Sequence, residues 1–272
     1  MDLVSRGAGD PRPRGVAPPD AAAPLHLPPV IGHRGAAGAA PENTLASLRK
    51  ARELGATWVE FDVKLTKDDH AILFHDDRLE RTTDGRGAVA ATTLAEIRRL
   101  DAGGWFGAAF RGEPVPTFEQ ALALCVELGL GINVEIKPCA GREAETASVT
   151  MTTLLDAWPR DRPALVSSFA PVCLDVAREL APAVPRGYLA GTVPRRWREL
   201  MSEYACAALH LNHRRLAPWQ RATILAAGIP VVLYTVNDGW RARRHLEAGV
   251  ATVITDRVDR VLRALEPHPG RA

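Results

Sequence analysis

The chain has 272 residues, and its 34 lysines and arginines nearly balance its 32 aspartates and glutamates, so the formal net charge is only +2. This balance provides no broad basic field, which argues against a nucleic-acid-binding protein and against binding of anionic membranes through net charge alone. A content of 46% hydrophobic and 24% charged residues is typical of an ordinary globular protein.

The first 29 residues differ in composition from the rest of the chain. They contain seven prolines and no apolar run, so we predict that residues 1–29 form a disordered tail without a secretory signal. Residues 30–272 are predicted to form one domain. Their longest apolar stretch falls short of the ~18 residues that cross a bilayer. We therefore expect no membrane span and a cytoplasmic location.

Strand-like runs alternate with helix-like segments from residue 30 onward. The predicted strands are 30–33, 58–63, 71–75, 132–136, 164–168, 187–190, 207–211, 231–236 and 252–255. The predicted helices are 44–54, 117–128, 143–157, 171–180, 215–227 and 239–247. Repeated strand-then-helix units indicate a parallel sheet wrapped by helices. About eight such units predict a closed (β/α)8 barrel.

The ninth strand candidate, residues 71–75, does not fit a parallel barrel. A parallel crossover needs a dozen or more residues, yet only a short polar turn separates this run from the preceding strand. We therefore predict an antiparallel hairpin. The glycine-rich and aromatic segment that follows, residues 76–116, is predicted to be a small loop-rich insertion over the active face, with one helix near 93–100.

Three carboxylates lie on two predicted parallel strands. Glu60 and Asp62 are two residues apart, so both side chains point to one face, and Glu135 follows on the next parallel strand. Such carboxylates repel one another unless a cation is present. One interpretation is an ion-pair network with Arg34 and Lys137. We favour a site for one divalent cation, Mg²⁺ or Ca²⁺, because unpaired charges are costly to bury and both ions prefer oxygen ligands.

Two histidines lie at the same predicted end of the barrel as the carboxylates. His33 and His75 each follow a strand, and histidine exchanges protons near neutral pH. A single histidine at a strand end is usually structural. Two histidines beside carboxylates, Arg34 and Lys137 instead suggest a role in acid/base catalysis. A metal, cations that neutralise phosphate oxygens and an acid/base pair together predict displacement at phosphorus.

These residues belong to a longer ordered series of motifs. The series comprises His33-Arg34-Gly35, Pro41-Glu42-Asn43-Thr44, Glu60-Phe61-Asp62, His75-Asp76, Arg81-Thr82-Thr83 with Gly85, Glu135-Ile136-Lys137, Ser167-Ser168-Phe169 and Tyr234-Thr235-Val236-Asn237. Over about residues 30–259 the series resembles the glycerophosphodiester phosphodiesterase family. Three further motifs resemble more narrowly its cytoplasmic bacterial members tied to glycerol-3-phosphate uptake: Asp101-Ala102-Gly103, Gly112-Glu113-Pro114 and His210-Leu211-Asn212-His213.

The resemblance implies a TIM barrel with a family-specific insertion. It also implies hydrolysis of a small-molecule glycerophosphodiester, such as glycerophosphocholine or glycerophosphoethanolamine, to sn-glycerol 3-phosphate and an alcohol. The roles it implies are metal ligands for Glu60, Asp62 and Glu135, a general acid/base pair for His33 and His75, and phosphate binding for Arg34 and Lys137.

Other motif residues have two interpretations each. Asn43 or Thr44 is expected to cap a helix, and Glu42 is a candidate partner of a site residue. The aromatic residues Trp105, Phe106 and Phe110 either line the alcohol side of the pocket or form a satellite core. The strand-end residues Tyr234, Thr235 and Asn237 either contact the glycerol moiety or close the barrel rim.

The sequence leaves two alternatives to the phosphodiesterase. A lysophospholipase D activity would need an apolar interfacial entrance, and the sequence offers no evident membrane segment or basic amphipathic helix for it. A non-catalytic barrel that only binds phosphodiesters is expected to lack at least one of His33, His75 and the three carboxylates, yet all five are present.

Overall fold

The computed structural model describes residues 25–266, which form nine strands and nine helices. The strands are β1 (Val30–Gly32), β2 (Trp58–Leu65), β3 (Ala71–Leu73), β4 (Gly131–Ile136), β5 (Ala164–Ser168), β6 (Arg186–Ala190), β7 (Ala208–Asn212), β8 (Val231–Tyr234) and β9 (Thr252–Thr255). The helices are α1 (Leu45–Glu53), α2 (Leu94–Ile97), α3 (Phe118–Leu128), α4 (Glu143–Ala157), α5 (Pro171–Leu180), α6 (Trp197–Glu203), α7 (Pro218–Ala226), α8 (Gly239–Glu247) and α9 (Val258–Leu265).

Eight parallel strands close into a barrel. Their order is β1-β9-β8-β7-β6-β5-β4-β2, and β1 also pairs with β2, which completes the ring. The ninth strand, β3, lies antiparallel on β2, with Val63 opposite Leu73. The predicted TIM barrel and the predicted antiparallel hairpin are both confirmed.

The alternation of side chains along β2 separates the core from the site. Val59, Phe61 and Val63 are fully buried in the main hydrophobic cluster between the barrel and its helices. The alternate residues Glu60 and Asp62 therefore point into the barrel. A separate apolar cluster with Trp58, Ile31, Leu165, Val232 and Ile254 fills the interior below them. The interior of the barrel is thus filled with apolar side chains at one end and lined by polar side chains at the other.

Most predicted helices are present, and two helices were missed. Thr44 caps α1 by accepting a hydrogen bond from the backbone N–H of Ser47 at 3.2 Å, which confirms one of the two expected caps. The prediction missed α6, which has seven residues, and α9, which has eight.

The segment between β3 and α3 is loop-rich, as predicted. It contains the four-residue helix α2, shorter than the helix expected near 93–100, and single 3-10 turns at Val89–Ala91 and Ala108–Phe110. The insertion has a small apolar cluster, which includes Leu79, Val89 and Ile97. This cluster anchors the insertion on the barrel.

The predicted tail lies largely outside the described residues, namely over residues 1–24. Its last part, residues 25–29, forms neither helix nor strand, but Leu25 and Leu27 pack against the interior cluster of the barrel. Across residues 25–266, no helix combines the length and the apolar character needed to cross a membrane.

Candidate active site

Three carboxylates converge on two neighbouring parallel strands. Glu60 and Asp62 project inward from β2, and Glu135 lies opposite Asp62 on β4. One oxygen atom from each carboxylate lies within 4.8 Å of the other two. Glu60 and Asp62 are only 2% and 1% exposed, so solvent does little to screen the repulsion between them.

These carboxylates carry more negative charge than the neighbouring cations neutralise. Burial and then repulsion by Asp62 raise the pKa of Glu60 to about 8, and the same two causes raise the pKa of Glu135. Burial also acts on Asp62, but Arg34 and Lys137 outweigh it and lower the pKa of that carboxyl. Hard oxygen donors with excess negative charge suit Mg²⁺ or Ca²⁺. The residues therefore fit one divalent cation.

Arg34 contacts three acidic side chains from the turn after β1. Its backbone N–H donates to Glu60 Oε2 at 3.0 Å, its Nη1 donates to Glu42 Oε1 at 2.6 Å, and its Nε lies 3.1 Å from Asp62 Oδ2. Its φ angle of 48° is uncommon for a residue other than glycine, and Gly35 continues the turn with φ 84°. This turn brings the backbone amide and the guanidinium of one residue to the same cluster.

Lys137 lies one residue beyond β4, where its backbone N–H bonds the carbonyl of Val63 at 3.0 Å. Its Nζ donates to Glu135 Oε1 at 2.8 Å and lies 3.5 Å from Asp62 Oδ1. The same ammonium lies 5.6 Å from the ring centroid of Phe169. The side chain is 23% exposed, so this cation is held beside the carboxylates and also reaches the surface of the site.

His33 is held by a carboxylate that lies 223 residues further along the chain. Its Nδ1 lies 2.6 Å from Asp256 Oδ1, and its Nε2 lies 3.9 Å from Glu60 Oε2. Asn237 fixes Asp256, because its Nδ2 donates to Oδ2 at 2.6 Å and its Oδ1 accepts from the backbone N–H at 2.8 Å. Burial favours the neutral imidazole, but the hydrogen bond with Asp256 and the charge of Glu60 outweigh it and raise the pKa of His33.

His75, which follows β3, has the same type of partner. Its Nδ1 lies 2.6 Å from Asp76 Oδ1, and Asp76 in turn accepts hydrogen bonds from Nε and Nη2 of Arg81 at 2.5 and 2.9 Å. Burial lowers the pKa of His75 by more than the nearby Asp62 raises it. In both histidines a carboxylate binds Nδ1, which leaves Nε2 for proton transfer.

A cavity of about 500 Å³ opens beside His33 and Arg34. Trp105 and Phe106 of the insertion line it, with their rings edge to face and their centroids 5.6 Å apart, and Phe110 packs on Phe106 at 5.5 Å. Its polar lining includes Glu42, Asn237, Asp256, Arg257 and Arg260. Of the two interpretations of the aromatic residues, the cavity wall applies to Trp105 and Phe106, because the satellite core has other members.

The structure brings all seven predicted site residues to one end of the barrel: His33, Arg34, Glu60, Asp62, His75, Glu135 and Lys137. Asp256 was not predicted, although a carboxylate directly after β9 was a visible signal. Asn237 binds Asp256 and Thr255. The hydroxyl of Tyr234 donates to the carbonyl of Ala190 at 3.0 Å, so that hydroxyl serves the barrel rim.

Solved structures and curated proteins resemble this chain over most of its length. A phosphodiesterase of Oleispira antarctica, solved in complex with the product sn-glycerol-3-phosphate, is 41% identical with a TM-score of 0.87, and the match covers 89% of this chain and 98% of that one. A glycerophosphodiester phosphodiesterase of Caldanaerobacter subterraneus is 34% identical over 84% of this chain and 93% of its own length. One from Bacillus subtilis is 31% identical over 84% and 83%.

The family match covers most of the barrel, from the residue after β1 into α9. Residues 33–260 match the glycerophosphoryl diester phosphodiesterase family, and this range begins at His33 and ends beyond Asp256. It therefore contains both carboxylate-bound histidines and the three clustered carboxylates. The chain belongs to the glycerophosphoryl diester phosphodiesterase family and is a phosphodiesterase.

Proposed function

We propose that this phosphodiesterase hydrolyses glycerophosphodiesters, including glycerophosphocholine and glycerophosphoethanolamine, to sn-glycerol 3-phosphate and the free alcohol. The observation that carries the proposal is the grouping of two carboxylate-bound histidines with a buried carboxylate triad, Arg34 and Lys137. The bound product in the related Oleispira antarctica structure supports the glycerophosphate half of the substrate.

The proposed roles follow from the charges and the contacts. Arg34 and Lys137 bind the non-bridging oxygens of the phosphodiester, since each holds a cationic group beside the triad. His33 and His75 form the acid/base pair: one imidazole accepts the proton of the attacking hydroxyl, and the other protonates the departing alkoxide as the phosphorus–oxygen bond breaks. Asp256 and Asp76 fix the tautomers of these imidazoles.

Glu60, Asp62 and Glu135 are proposed to hold one divalent cation, Mg²⁺ or Ca²⁺. When bound, such an ion supplies Lewis-acid stabilisation of the charge that builds on the phosphate oxygens. The raised pKa of Glu60 supports this role, because protonation and metal binding are the two ways to relieve the repulsion within the triad.

The cavity beside His33 is proposed to receive the alcohol of the substrate. Trp105 and Phe106 provide an aromatic wall there, and aromatic faces attract the trimethylammonium group of choline.

For location we propose the cytoplasm, on the narrower resemblance of residues 101–103, 112–114 and 210–213 to the cytoplasmic bacterial members of the family.

The test is to incubate the purified protein with glycerophosphocholine and to follow the release of sn-glycerol 3-phosphate. We expect turnover that stops on thorough chelation with EDTA and returns on addition of Mg²⁺ or Ca²⁺. Replacement of His33 or His75 by Gln is expected to lower kcat by ~10²- to 10⁴-fold. His70→Gln is the matched control, because the His70 side chain is exposed and its one ionic partner within residues 25–266 is Asp68.

Three results would contradict the proposal. Turnover that survives chelation would exclude the metal role. Wild-type kcat in His33→Gln or His75→Gln would exclude the acid/base role of that residue. Release of glycerol and phosphocholine, rather than sn-glycerol 3-phosphate and choline, would show that the phosphorus–oxygen bond on the other side of the phosphate breaks.

A further inference from the structure

Exposed aromatic and apolar side chains concentrate on the face that carries the candidate active site. In a barrel of this kind, each helix begins on the face where its preceding strand ends. Trp219 and Trp240 are the second residues of α7 and α8, and they are 69% and 66% exposed. Phe169 directly follows β5, and Val172 is the second residue of α5; both are nearly half exposed.

Exposed arginines lie among these side chains. Arg214 and Arg215 precede α7, and Arg241 is in the first turn of α8. None of these three forms an ion pair with a carboxylate of residues 25–266. Arg257 and Arg260, at the beginning of α9, add positive charge beside the cavity. Around the starts of α7, α8 and α9, these five arginines outnumber the carboxylates Asp238, Asp256 and Asp259, although the net charge of the chain is only +2.

A cleft of about 430 Å³ between α7 and α8 extends this basic and aromatic surface. It is lined by Arg221, Arg241, Arg244, the ring of Trp240, His245 and the single carboxylate Glu247. The guanidinium of Arg244 lies 5.4 Å from the ring centroid of Trp240. Three arginines in one cleft present a site that a lipid phosphate would neutralise.

We propose that this face docks on the surface of an anionic phospholipid bilayer, with Trp219 and Trp240 at the level of the lipid head groups and the arginines on their phosphates. Indole rings prefer this interface, and each cation near an anionic membrane strengthens binding. The aromatic side chains come from separate helix starts and loops around one rim, which suits a plane better than an extended peptide. Docking turns the mouth of the cavity towards the lipid.

The first experiment is sedimentation of the full-length protein with vesicles, in the absence of substrate. We expect binding to vesicles of phosphatidylcholine mixed with an equal amount of phosphatidylglycerol, and much weaker binding to phosphatidylcholine alone. High salt is expected to release the protein, because salt screens exposed charges. Equal binding to both kinds of vesicle, or no binding to the anionic vesicles at low salt, would overturn the proposal.

Substitutions test whether the proposed face is the one that binds the vesicles. The double variant Trp219→Ser with Trp240→Ser is expected to lose vesicle binding. Replacement of Arg214, Arg215 or Arg241 by Gln is expected to weaken binding about fivefold per residue. The matched control is Leu155→Ser with Leu180→Ser, because these leucines are each 44% exposed but lie at the ends of α4 and α5 on the opposite face.

Two further measurements make the result decisive. All these variants are expected to keep wild-type turnover of dissolved glycerophosphocholine and wild-type Tm. A loss of vesicle binding would then not be caused by unfolding of the variant. Vesicle binding by the tryptophan variant equal to that of wild type would overturn the proposal. Self-association through this face without vesicle binding would also overturn it, because the occupant would then be a second copy of the chain. Failure of turnover bears on the proposed function, whereas failure of sedimentation bears on docking.

Discussion

Arg81 donates hydrogen bonds to both carboxylate oxygens of Glu42, from Nη1 to Oε2 at 2.8 Å and from Nη2 to Oε1 at 2.7 Å. The same guanidinium binds Asp76, the carboxylate that holds His75, and Glu42 is the carboxylate that holds Arg34. One side chain of the insertion thus connects the partner of a candidate proton-transfer group with the partner of a candidate phosphate ligand.

Arg81→Lys is expected to lower kcat/KM for glycerophosphocholine by roughly 10- to 100-fold, as loss of a partner that orients site residues commonly does. An ammonium cannot replace the planar fork that binds two carboxylates at once. Steady-state kinetics provide the measurement. The control is Arg78→Lys, since Arg78 is exposed and its single ion pair in the described part of the chain is with Glu80. An equal loss of kcat/KM in both variants would show that the loss does not depend on the contacts of Arg81 with Glu42 and Asp76.

Asp256→Asn is expected to lower kcat by ~10²- to 10⁴-fold, because an amide can donate to Nδ1 of His33 and so favour the wrong tautomer. Asp259→Asn tests a carboxylate three residues further along that pairs loosely with Arg257 at 3.7 Å, and it is expected to retain activity. Wild-type kcat in Asp256→Asn would show that His33 does not need this partner.

Removal of divalent metal is expected to lower thermal stability as well as activity. A ligand at about a hundred times its Kd stabilises the folded state by about 2.7 kcal/mol, which for a chain of this size raises Tm by roughly 5 to 10 °C. Glu135→Gln is expected to abolish the rise in Tm on addition of Mg²⁺ or Ca²⁺ to the EDTA-treated protein. Glu127→Gln, on the exposed side of α3, is expected to preserve it. A rise of equal size in both variants would exclude Glu135 as a ligand.

Buried His210 is expected to make the protein sensitive to acid. It is 0% exposed on β7, neither ring nitrogen has a hydrogen-bond partner within residues 25–266, and burial lowers its pKa to about 3. The unfolded chain takes up this proton below about pH 6.5, whereas the folded chain does not until about pH 3, so stability is full above pH 6.5 and falls as the pH is lowered.

Between about pH 7.5 and about pH 5, His210 is expected to account for about 2 kcal/mol of the loss in unfolding free energy. His210→Gln is expected to show a smaller loss by this amount in urea unfolding, even if its stability at neutral pH is lower. His70→Gln, at an exposed position, serves as the control. The same pH dependence in His210→Gln as in wild type would contradict the assignment.

The sequence was sufficient to predict the barrel because hydrophobic runs and turns repeat along it. It also indicated α9, although that signal was missed: Val258, Val261, Leu262 and Leu265 have the spacing of an amphipathic helix. The other missed helix, α6, is only two turns long, and few of its side chains, such as Trp197 and Met201, are buried. So short a segment has too few periodic positions to distinguish a helix from a loop.

The triad was predictable because Glu60 and Asp62 share one face of a strand, and strand order placed Glu135 beside them. The contacts of Arg81 and Asp256 were not predictable in the same way. Arg81 lies in a loop without periodicity, and its partner Glu42 is 39 residues away. Asp256 meets His33 only because β9 pairs with β1, a consequence of closure that no local pattern specifies.

The bond between His33 and Asp256 joins residues 223 positions apart, and β1 must pair with both β2 and β9 to hold them together. During synthesis His33 is made 223 residues before Asp256, so it is without this partner until β9 has been made. A chain that stops before β9 contains Glu60, Asp62 and Glu135 but lacks the carboxylate that holds His33. With His33 in its proposed role, a fragment that stops before β9 is expected to lack hydrolytic activity even though it contains the three carboxylates.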